Sequence, residues 1–275
     1  TETHQKASIS SRPSAVSQIL RFFHERPEKE ANYQLEGFTF SVANNPNHLK
    51  SCFALAYNEY LKKGYVSQNL PQKMIISEHD TDKNTLVVMA KNEYQEIVGT
   101  LSIVVDGEKG LPCNELFSEE LRNLRQKGAK VAEVVRLAIS DDYKNSKEIL
   151  LGMFNLVCNY VKNVAQCSDL IIEVNPRHVK YYQRLLLFKV ISEEKECKRV
   201  EGAPAVLLCL NKSDVENYRK FNANEKEFLR SLHPHLSIGQ EEIQIAKMIQ
   251  MEMSKITNEI LEKSGINLLD QYQIV

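Results

Sequence analysis

The sequence predicts a mixed α/β fold in which one β-sheet carries helices on both faces. The first observation is a pair of short, β-branched apolar runs, Lys130–Ser140 and Asp169–Asn175, which are typical of strands buried on both faces. The second is the stretch Glu148–Val164 between them, whose apolar residues recur at helical spacing. Strands that alternate with amphipathic helices in this way indicate a layered α/β domain.

The remaining elements follow from the same patterns, taken in chain order. Alternation over Gly37–Val42 predicts a strand, and apolar residues on one face of His48–Lys63 predict a helix that ends at Gly64. The charged turn Lys91–Glu96 joins two apolar runs into a predicted hairpin. The other predicted elements are helices at Ser14–Arg26, Asn114–Gln126 and Arg177–Leu187, and strands at Thr85–Ala90, Ile97–Val105, Lys189–Ser192 and Ala205–Asn211. The second of these helices is predicted to begin near Asn114 or Ser118.

These patterns divide the chain into three parts. Residues 1–36 form a polar N-terminal extension, residues 37–211 hold the α/β pattern, and residues 212–275 form a helical C-terminal extension with no strand signal. The helical runs of the extension lie near Ser213–Arg219, Asn224–Leu232 and Gln240–Lys263. An apolar stripe on the last run is predicted to pack on the body of the protein or to form a homo-oligomer. The stripe consists of Ile245, Ile249, Met253, Ile256 and Ile260.

Composition argues against several classes of function. The 275 residues are 43% hydrophobic and 26% charged with a formal net charge of −1, so no overall positive field favours nucleic acid. The longest apolar runs are far shorter than the roughly 20 residues that span a bilayer, so no stable membrane insertion is expected. The six cysteines include no C-x-x-C pair and no spacing typical of a metal site. We therefore expect a cytoplasmic protein without a bound metal.

The strand Lys130–Ser140 contains two opposite charges, Glu133 and Arg136, in an otherwise apolar run. A charge buried in a sheet is costly unless it is paired or used. On the residues alone, an ion pair that fixes the strand register is favoured over a catalytic pair. A polar loop, Asp141–Lys147, follows the strand and leads into the next helix. This layout can hold an anion against free backbone N–H groups.

Four segments, in this order, carry a resemblance to a known family. They are GLPCNELFSEELRNLRQKG, AEVVRLAIS, NPRHVKYYQRLLLF and EGAPAV, which begin at Gly110, Ala132, Asn175 and Glu201. Together they resemble the long-chain N-acyl amino acid synthases, which have the GNAT acyltransferase fold and are similar to the acyl-homoserine lactone synthases. The E-x-x-R motif alone is weak, whereas four segments in order are more specific. The resemblance covers residues 37–211 and implies a GNAT-like, mainly antiparallel sheet.

The resemblance implies an enzyme that moves a long-chain fatty acyl group from acyl carrier protein to the α-amine of an amino acid. The donor is then a thioester on phosphopantetheine, which is a co-substrate and not a permanently bound cofactor, and acyl-coenzyme A is the other donor to consider. A bacterial-type enzyme is expected, with the carrier protein and the amino acid acceptor as its partners. Two rivals stay open: a coenzyme A-dependent GNAT N-acetyltransferase, and a non-catalytic module that binds acyl carrier protein or lipid.

Under this resemblance, the charged pair of the central strand takes a catalytic interpretation. An α-ammonium must lose a proton before it attacks a thioester, and Glu133 is the predicted base. Arg136 is predicted to hold a carboxylate bidentately or to pair with Glu133. Residues three apart in a regular strand face opposite sides, so both serve one site only if a β-bulge lies near Arg136. Such a bulge, known in this strand of the GNAT fold, would free the backbone N–H near Leu137 to polarise the thioester carbonyl.

The predicted phosphate loop departs from the GNAT pattern. That pattern has glycines that let backbone N–H groups approach a pyrophosphate, whereas the stretch Lys144–Glu148 has none before Gly152. One phosphate on a carrier protein needs fewer such groups, and basic residues can dock an acidic carrier. Solvated lysines on a helix face are the alternative interpretation. The predicted docking residues are Lys144, Asn145, Ser146, Lys147, Arg177, Lys180 and Arg184.

A tyrosine on the helix after Asn175 is the predicted proton donor. In the GNAT fold a tyrosine here protonates the leaving thiolate, and Tyr182 matches that position, with Tyr181 as the substitute. A core tyrosine with a bonded hydroxyl is the alternative. Leu187 stands where the family has a glycine before phenylalanine, a second departure. Further candidates on the acceptor side of the cleft are Tyr57, Tyr60, Asn175 and His178.

Overall fold

A computed structural model describes residues 33–197, 202–222 and 240–264, and its centre is a mixed sheet of nine strands. The strands are β1 Tyr33–Leu35, β2 Phe38–Val42, β3 Thr85–Lys91, β4 Ile97–Val105, β5 Val131–Ile139, β6 Asp169–Val174, β7 Lys189–Val190, β8 Lys195–Cys197 and β9 Ala203–Asn211. Their order is β1-β2-β3-β4-β5-β6-β9-β7, and β8 pairs with β9. Apart from the parallel pair β5–β6, the neighbouring strands are antiparallel. The predicted mixed, mainly antiparallel sheet is confirmed.

The α-helices of the described residues cover both faces of this sheet, as predicted. They are α1 Pro46–Lys62, α2 Ser118–Gln126, α3 Lys147–Asn159, α4 Val179–Leu186, α5 Lys212–Asn222 and α6 Gln240–Ser264. Helices α3 and α4 pack against one face in a single large core cluster. Helices α1 and α2 pack against the other face. Because strand residues alternate between faces, each layer of helices has its own apolar core.

Local signals explain where α1 begins and ends. The side chain of Asn45 accepts a hydrogen bond from the His48 N–H at 2.9 Å, and Pro46 lies in the first turn. The helix ends at Lys62, and Gly64 follows with a φ of 72°. Glycine adopts this left-handed conformation without strain. The predicted helix is confirmed, with its start at Pro46.

The parallel pair β5–β6 separates before its strands end. The last paired residues are Val134 and Ile172, yet β5 continues to Ile139 and β6 to Val174. Since β5 stays paired with β4 and β6 with β9, the sheet is split at its centre along this length. A gap therefore opens at the edge from which the chain leaves β5 toward α3 and β6 toward α4.

Helix α6 docks on the body of the protein through its apolar stripe. The buried residues Ile249, Met253 and Ile260 share one cluster with side chains of α1 and β3. The helix also contacts the 3₁₀ turn Glu78–Thr81. Packing of the stripe on the body is therefore observed from Ile249 onward, while the side chain of Ile245 lies outside the described residues.

Short elements and helix starts depart from the sequence predictions. Strands β1 and β8 have three residues each, too few to give a periodic signal. The helix predicted to begin near Asn114 or Ser118 begins at Ser118, because Pro112–Glu115 forms a 3₁₀ turn before α2. The helix predicted from Arg177 likewise begins as the 3₁₀ turn Pro176–His178.

Two predicted helices fall outside the residues that the structure describes. They are Ser14–Arg26 and Asn224–Leu232, and both stay predictions. The helix predicted over Glu148–Val164 is confirmed as α3, with its last turn widened into the π-helical turn Tyr160–Val164.

Gly152 allows α3 to lie directly on β2. A Cβ built on Gly152 would overlap the ring of Phe40, which is fully buried. Alanine inside a helix is normally about 1 kcal/mol more favourable than glycine. A loss of stability in Gly152→Ala would therefore show that the contact with Phe40 outweighs this preference. We expect Gly152→Ala to lower the free energy of unfolding by about 1–3 kcal/mol, because the packed ring has to shift.

Urea unfolding of Gly152→Ala, Phe40→Leu and the double variant measures this effect. The smaller leucine makes room for the new methyl group, so the double variant should lose less than the sum of the two single losses. A gain in stability for Gly152→Ala would contradict the close packing of α3 on β2.

Candidate active site

A β-bulge interrupts β5 at Arg136. Ser102 of β4 pairs with Val135, whereas the next registered pair joins Thr100 to Ala138. Over this step β5 holds one more residue than β4, and Arg136 takes a positive φ of 54°. The bulge predicted from the spacing of the two charges is confirmed.

The bulge brings Glu133 and Arg136 to the same face of the sheet, beneath α1 and α2. Glu133 accepts a hydrogen bond from the Cys113 N–H at 3.0 Å, in the turn before α2. The Arg136 guanidinium lies over the ring of Phe53 of α1, 5.3 Å from the ring centroid. In a regular strand, residues three apart would face opposite layers. The extra residue therefore explains how both charges share one layer.

Arg136 forms a buried ion pair with Asp80. Its two terminal nitrogens donate to the two carboxylate oxygens, and one of them also donates to Ser102 Oγ at 2.6 Å. Asp80 accepts further hydrogen bonds from the N–H and the hydroxyl of Ser77, at 2.7 and 3.0 Å. The Arg136 and Asp80 side chains are only 2% and 1% exposed. Arg136 thus holds a carboxylate bidentately, and that carboxylate is the protein's own.

The gap between β5 and β6 widens into an open cleft of about 450 Å³. Its walls come from the end of α1, the loop before α3, the ends of β5 and β6, α4 and the start of β9. The predicted site residues that line it are Tyr60, Leu137, Lys144, Asn145, Ser146, Asn175, His178, Tyr181 and Tyr182. The predicted residues that do not line it are Tyr57, Glu133, Arg136, Lys147, Arg177, Lys180 and Arg184.

Glu133 and Tyr57, which lie outside the cleft, also have partners within the protein. Glu133 is 1% exposed and holds the turn before α2 through the Cys113 N–H. Tyr57 donates from its hydroxyl to the Gln68 carbonyl oxygen at 3.0 Å, and so holds the loop after α1. A part in the chemistry stays a prediction for both of them.

The cleft contains a carboxylate that sequence reasoning missed, Glu173 of β6. It directly follows Ile172, the last β6 residue paired with β5, and it is 2% exposed. A signal was present in the sequence, because a charge within the buried run Asp169–Val174 is costly unless paired or used, as for Glu133. It is easy to overlook because no basic residue accompanies it in the strand.

Tyr60 of α1 lies close to Glu173 in the cleft wall. Its hydroxyl is buried and has no hydrogen-bond partner among the described residues. Burial raises the pKa of the phenol, the positive charge of Arg136 opposes this rise, and the charge of Glu173 adds to it. The hydroxyl therefore stays protonated and is available to a group that enters the cleft.

Tyr182 places its ring in the wall of the cleft formed by α4. The ring packs against Phe154 and Phe188, with centroid distances of 6.4 and 6.2 Å. Burial raises the pKa of Tyr182 as well, so the phenol is protonated at neutral pH. After α4, Leu187 has a φ of 64°, the left-handed conformation that glycine usually supplies. The substitution of leucine for glycine thus keeps the helix end and adds local strain.

The exposed entrance of the cleft carries a cationic rim, formed by Lys63, Lys144 and Arg177. Lys63 and Lys144 line the cleft, and Arg177 lies beside it, donating from Nε to His178 Nε2 at 3.1 Å. Burial, together with Arg177 and Lys63, lowers the pKa of His178, so its neutral form dominates at pH 7. The rim can therefore attract an anionic group.

The loop before α3 uses its own side chains to cap that helix. Ser146 Oγ accepts from the Ile149 N–H at 3.4 Å and donates to Glu148 at 3.0 Å. Asp141, earlier in the loop, forms an ion pair with Lys62 at 3.0 Å. With an acidic residue in the first turn and a capping serine, this helix start suits a doubly charged pyrophosphate poorly.

A bulged central strand, a split parallel pair and a tyrosine-bearing helix beside the opening are the features expected of an acyltransferase of the GNAT type. Residues 51–211 match the family model described as "N-acyl amino acid synthase FeeM". The chain belongs to this family.

Several solved structures are similar to this one. FeeM, an N-acyl amino acid synthase from uncultured soil microbes, is similar with a TM-score of 0.55 and 24% identity, over 64% of this chain and 92% of that one. The AHL synthase LasI has a TM-score of 0.50 and 15% identity, over 63% and 89%. A GNAT-family acetyltransferase from Streptococcus pneumoniae has a TM-score of 0.44 and 12% identity, over 63% and 99%. No curated protein matches the sequence.

No helix within the described ranges is both long enough and apolar enough to cross a bilayer.

Removing Arg136 should destabilise the fold, because it leaves Asp80 as a buried carboxylate without its cation. We expect Arg136→Met to lower the free energy of unfolding by about 3–5 kcal/mol. The matched control is Arg125→Met, since Arg125 pairs with Asp106 at 2.7 Å but is 37% exposed. The control should lose only about 0–1 kcal/mol.

Urea unfolding of both variants measures the difference. The double variant Arg136→Met with Asp80→Asn should recover part of the loss, because the unpaired charge is then removed. Equal losses for Arg136→Met and Arg125→Met would contradict the role of Arg136 as the buried anchor of the 3₁₀ turn Glu78–Thr81, which contains Asp80.

Proposed function

We propose that the protein transfers a long-chain fatty acyl group from an acyl carrier protein thioester to the α-amine of an amino acid. Membership of the N-acyl amino acid synthase family supports the reaction class. The observation that carries the choice of donor is the loop at the entrance of the cleft, which contains no glycine from Asp141 to Lys147.

This loop favours a donor with a single phosphate over a pyrophosphate. A pyrophosphate needs several backbone N–H groups at close range, and side chains from Lys144 to Glu148 obstruct that approach. Ser146 already caps α3, and Glu148 adds a negative charge there. A phosphopantetheine arm presents one phosphate, for which Lys144 supplies a cation at the entrance.

The cationic rim supports an acidic protein partner. Lys63, Lys144 and Arg177 surround the entrance, and all three are exposed. Further exposed basic residues follow on the helices that begin at this edge: Lys147, Lys180 and Arg184. Such a surface speeds the encounter with a negatively charged carrier protein. The carrier would then insert its acyl arm between β5 and β6.

The cleft supplies groups that aminolysis of a thioester needs. Leu137 follows the bulge and lines the cleft, and we assign its backbone N–H to the thioester carbonyl oxygen. The protonated phenol of Tyr182 is assigned to the leaving thiolate. Apolar side chains beside these groups offer contact to an acyl chain: Ile139, Leu150 and Val174.

The identity of the acyl donor is tested with purified protein and the same acyl group attached either to acyl carrier protein or to coenzyme A. With a C12–C16 acyl group and a panel of the twenty amino acids, we expect a higher kcat/KM for acyl carrier protein than for acyl-coenzyme A. Mass spectrometry of the products identifies the acceptor. A strong preference for acyl-coenzyme A would contradict this proposal and favour the coenzyme A-dependent alternative.

Charge reversal at the loop provides a second prediction. Lys144→Glu with Lys147→Glu should lower kcat/KM for acyl carrier protein by about tenfold, with a weaker salt dependence, because electrostatic steering is lost. The matched control is Lys162→Glu, an exposed lysine in the π-helical turn that follows α3. Equal effects of both changes, or an unchanged salt dependence, would contradict docking at the rim.

A further inference from the structure

Glu173 has no part in the function proposed so far, although it lines the cleft. Along β6, Leu170, Ile172 and Val174 pack in the layer of α3 and α4. Glu173 lies between the last two, so its side chain points to the layer of α1. Because pairing with β5 ends at Ile172, this side chain reaches the space where the two strands separate. A buried carboxylate in this place is positioned to meet a substrate.

The Tyr60 hydroxyl points to the same place. It is nine-tenths or more buried, borders the cleft, and lacks a hydrogen-bond partner within the described part of the chain. A buried hydroxyl without a partner costs free energy, because it has lost its hydrogen bonds to water and gained none in the protein. An incoming polar group that bonds this hydroxyl would remove the cost. The wall beside Glu173 thus has a second polar atom ready for a ligand.

The charge of the cleft changes sign from the entrance to its interior. Lys63, Lys144 and Arg177 form the exposed cationic rim, whereas Glu173 is the acidic side chain among the described residues that line the cleft. An amino acid carries both charges. Its ammonium group fits the anionic interior, and its carboxylate fits the side that faces Lys63.

We propose that Glu173 is the base that removes a proton from the α-ammonium of the acceptor, and that the Tyr60 hydroxyl oxygen accepts a second N–H and orients the nitrogen. This assignment rests on the proposed function, since it requires an amine acceptor. A general base must lie within hydrogen-bond reach of the proton that it takes. Glu173 borders the cleft, whereas Glu133 lies outside it and holds the Cys113 N–H. Glu133 is then a positioning residue.

The step balances in protons and bonds. The ammonium gives one proton to the Glu173 carboxylate, and the freed lone pair forms the C–N bond at the thioester carbonyl carbon. The C–S bond breaks, and the thiolate takes the Tyr182 proton. The amide nitrogen then gives its extra proton to the Tyr182 phenolate, which becomes a phenol again. The proton on Glu173 leaves to solvent.

Substitution of Glu173 tests the assignment. We expect Glu173→Gln to lower kcat by about 10²–10⁴-fold, because the amide keeps the shape and cannot take a proton. The rise of kcat/KM with pH that a carboxylate base produces should disappear, and Glu173→Asp should retain more activity than the amide. The matched control is Asp169→Asn, a buried carboxylate at the other end of the same strand, bonded to Asn211 Nδ2 at 2.8 Å.

Comparison with Glu133→Gln decides between the two carboxylates. A native pH profile and turnover within twofold of wild type for Glu173→Gln would overturn the assignment. The assignment would also be overturned if the rise of kcat/KM with pH disappeared in Glu133→Gln and persisted in Glu173→Gln. Circular dichroism and thermal unfolding show whether each variant is folded.

Tyr60→Phe keeps the proposal testable if Glu173→Gln does not fold. Removal of an unpartnered buried hydroxyl should leave stability equal or higher. We expect kcat of Tyr60→Phe to fall by about tenfold or more at unchanged stability. The fall in kcat/KM for the acceptor should be larger than the fall in kcat. Unchanged kinetics in Tyr60→Phe would overturn the role of this hydroxyl in orienting the amine.

Failure of the proposed function is distinguishable from failure of this assignment. If wild-type protein transfers no acyl group from carrier protein to any amino acid, the proposed function fails. The same variants are then assayed with acetyl-coenzyme A and simple primary amines, because a base for the amine is needed with either donor. Loss confined to Glu173→Gln in that assay would still support the base, and no loss would overturn it.

Discussion

The β-bulge at Arg136 is the constraint on which the rest of the site depends. One extra residue turns the guanidinium toward the layer of α1, where Asp80 receives it with two hydrogen bonds. That ion pair ties the 3₁₀ turn Glu78–Thr81 to the sheet, and α6 packs on the same turn. The bulge also ends the regular course of β5, and pairing with β6 stops at Val134. One local irregularity therefore anchors a layer and opens the cleft.

This arrangement separates the buried charges beneath α1 and α2 from the residues that line the cleft. Arg136 and Glu133 are enclosed beneath α1 and α2, and their partners are Asp80 and the Cys113 N–H. Leu137, Tyr60, Glu173 and Tyr182 are among the residues that line the cleft. The bulge connects the two sets because Leu137 directly follows Arg136. The two charged side chains of the E-x-x-R motif therefore lie outside the cleft. The motif contributes to the shape of the cleft through the backbone bulge at Arg136.

The sequence predicted the parts that depend on local pattern. Two charges three residues apart in a strand can serve one site only if a bulge intervenes, and the bulge lies at Arg136. The partner Asp80 was beyond reach, because it lies 56 positions earlier and only the tertiary fold brings the two together. Glu173 escaped notice because β6 offers no opposite charge to draw attention to it. Its access to the cleft depends on where the pairing of β5 and β6 stops, which no strand pattern encodes.

We propose that acyl transfer takes place between the separated ends of β5 and β6. The most direct test of this proposal is a crystal structure with acyl carrier protein that bears a non-hydrolysable thioester analogue. We expect the phosphopantetheine arm to pass Lys144, and the analogue's carbonyl oxygen to lie about 3 Å from the Leu137 backbone nitrogen. An arm that enters elsewhere, or a carbonyl group placed beside Glu133 beneath α1, would contradict it.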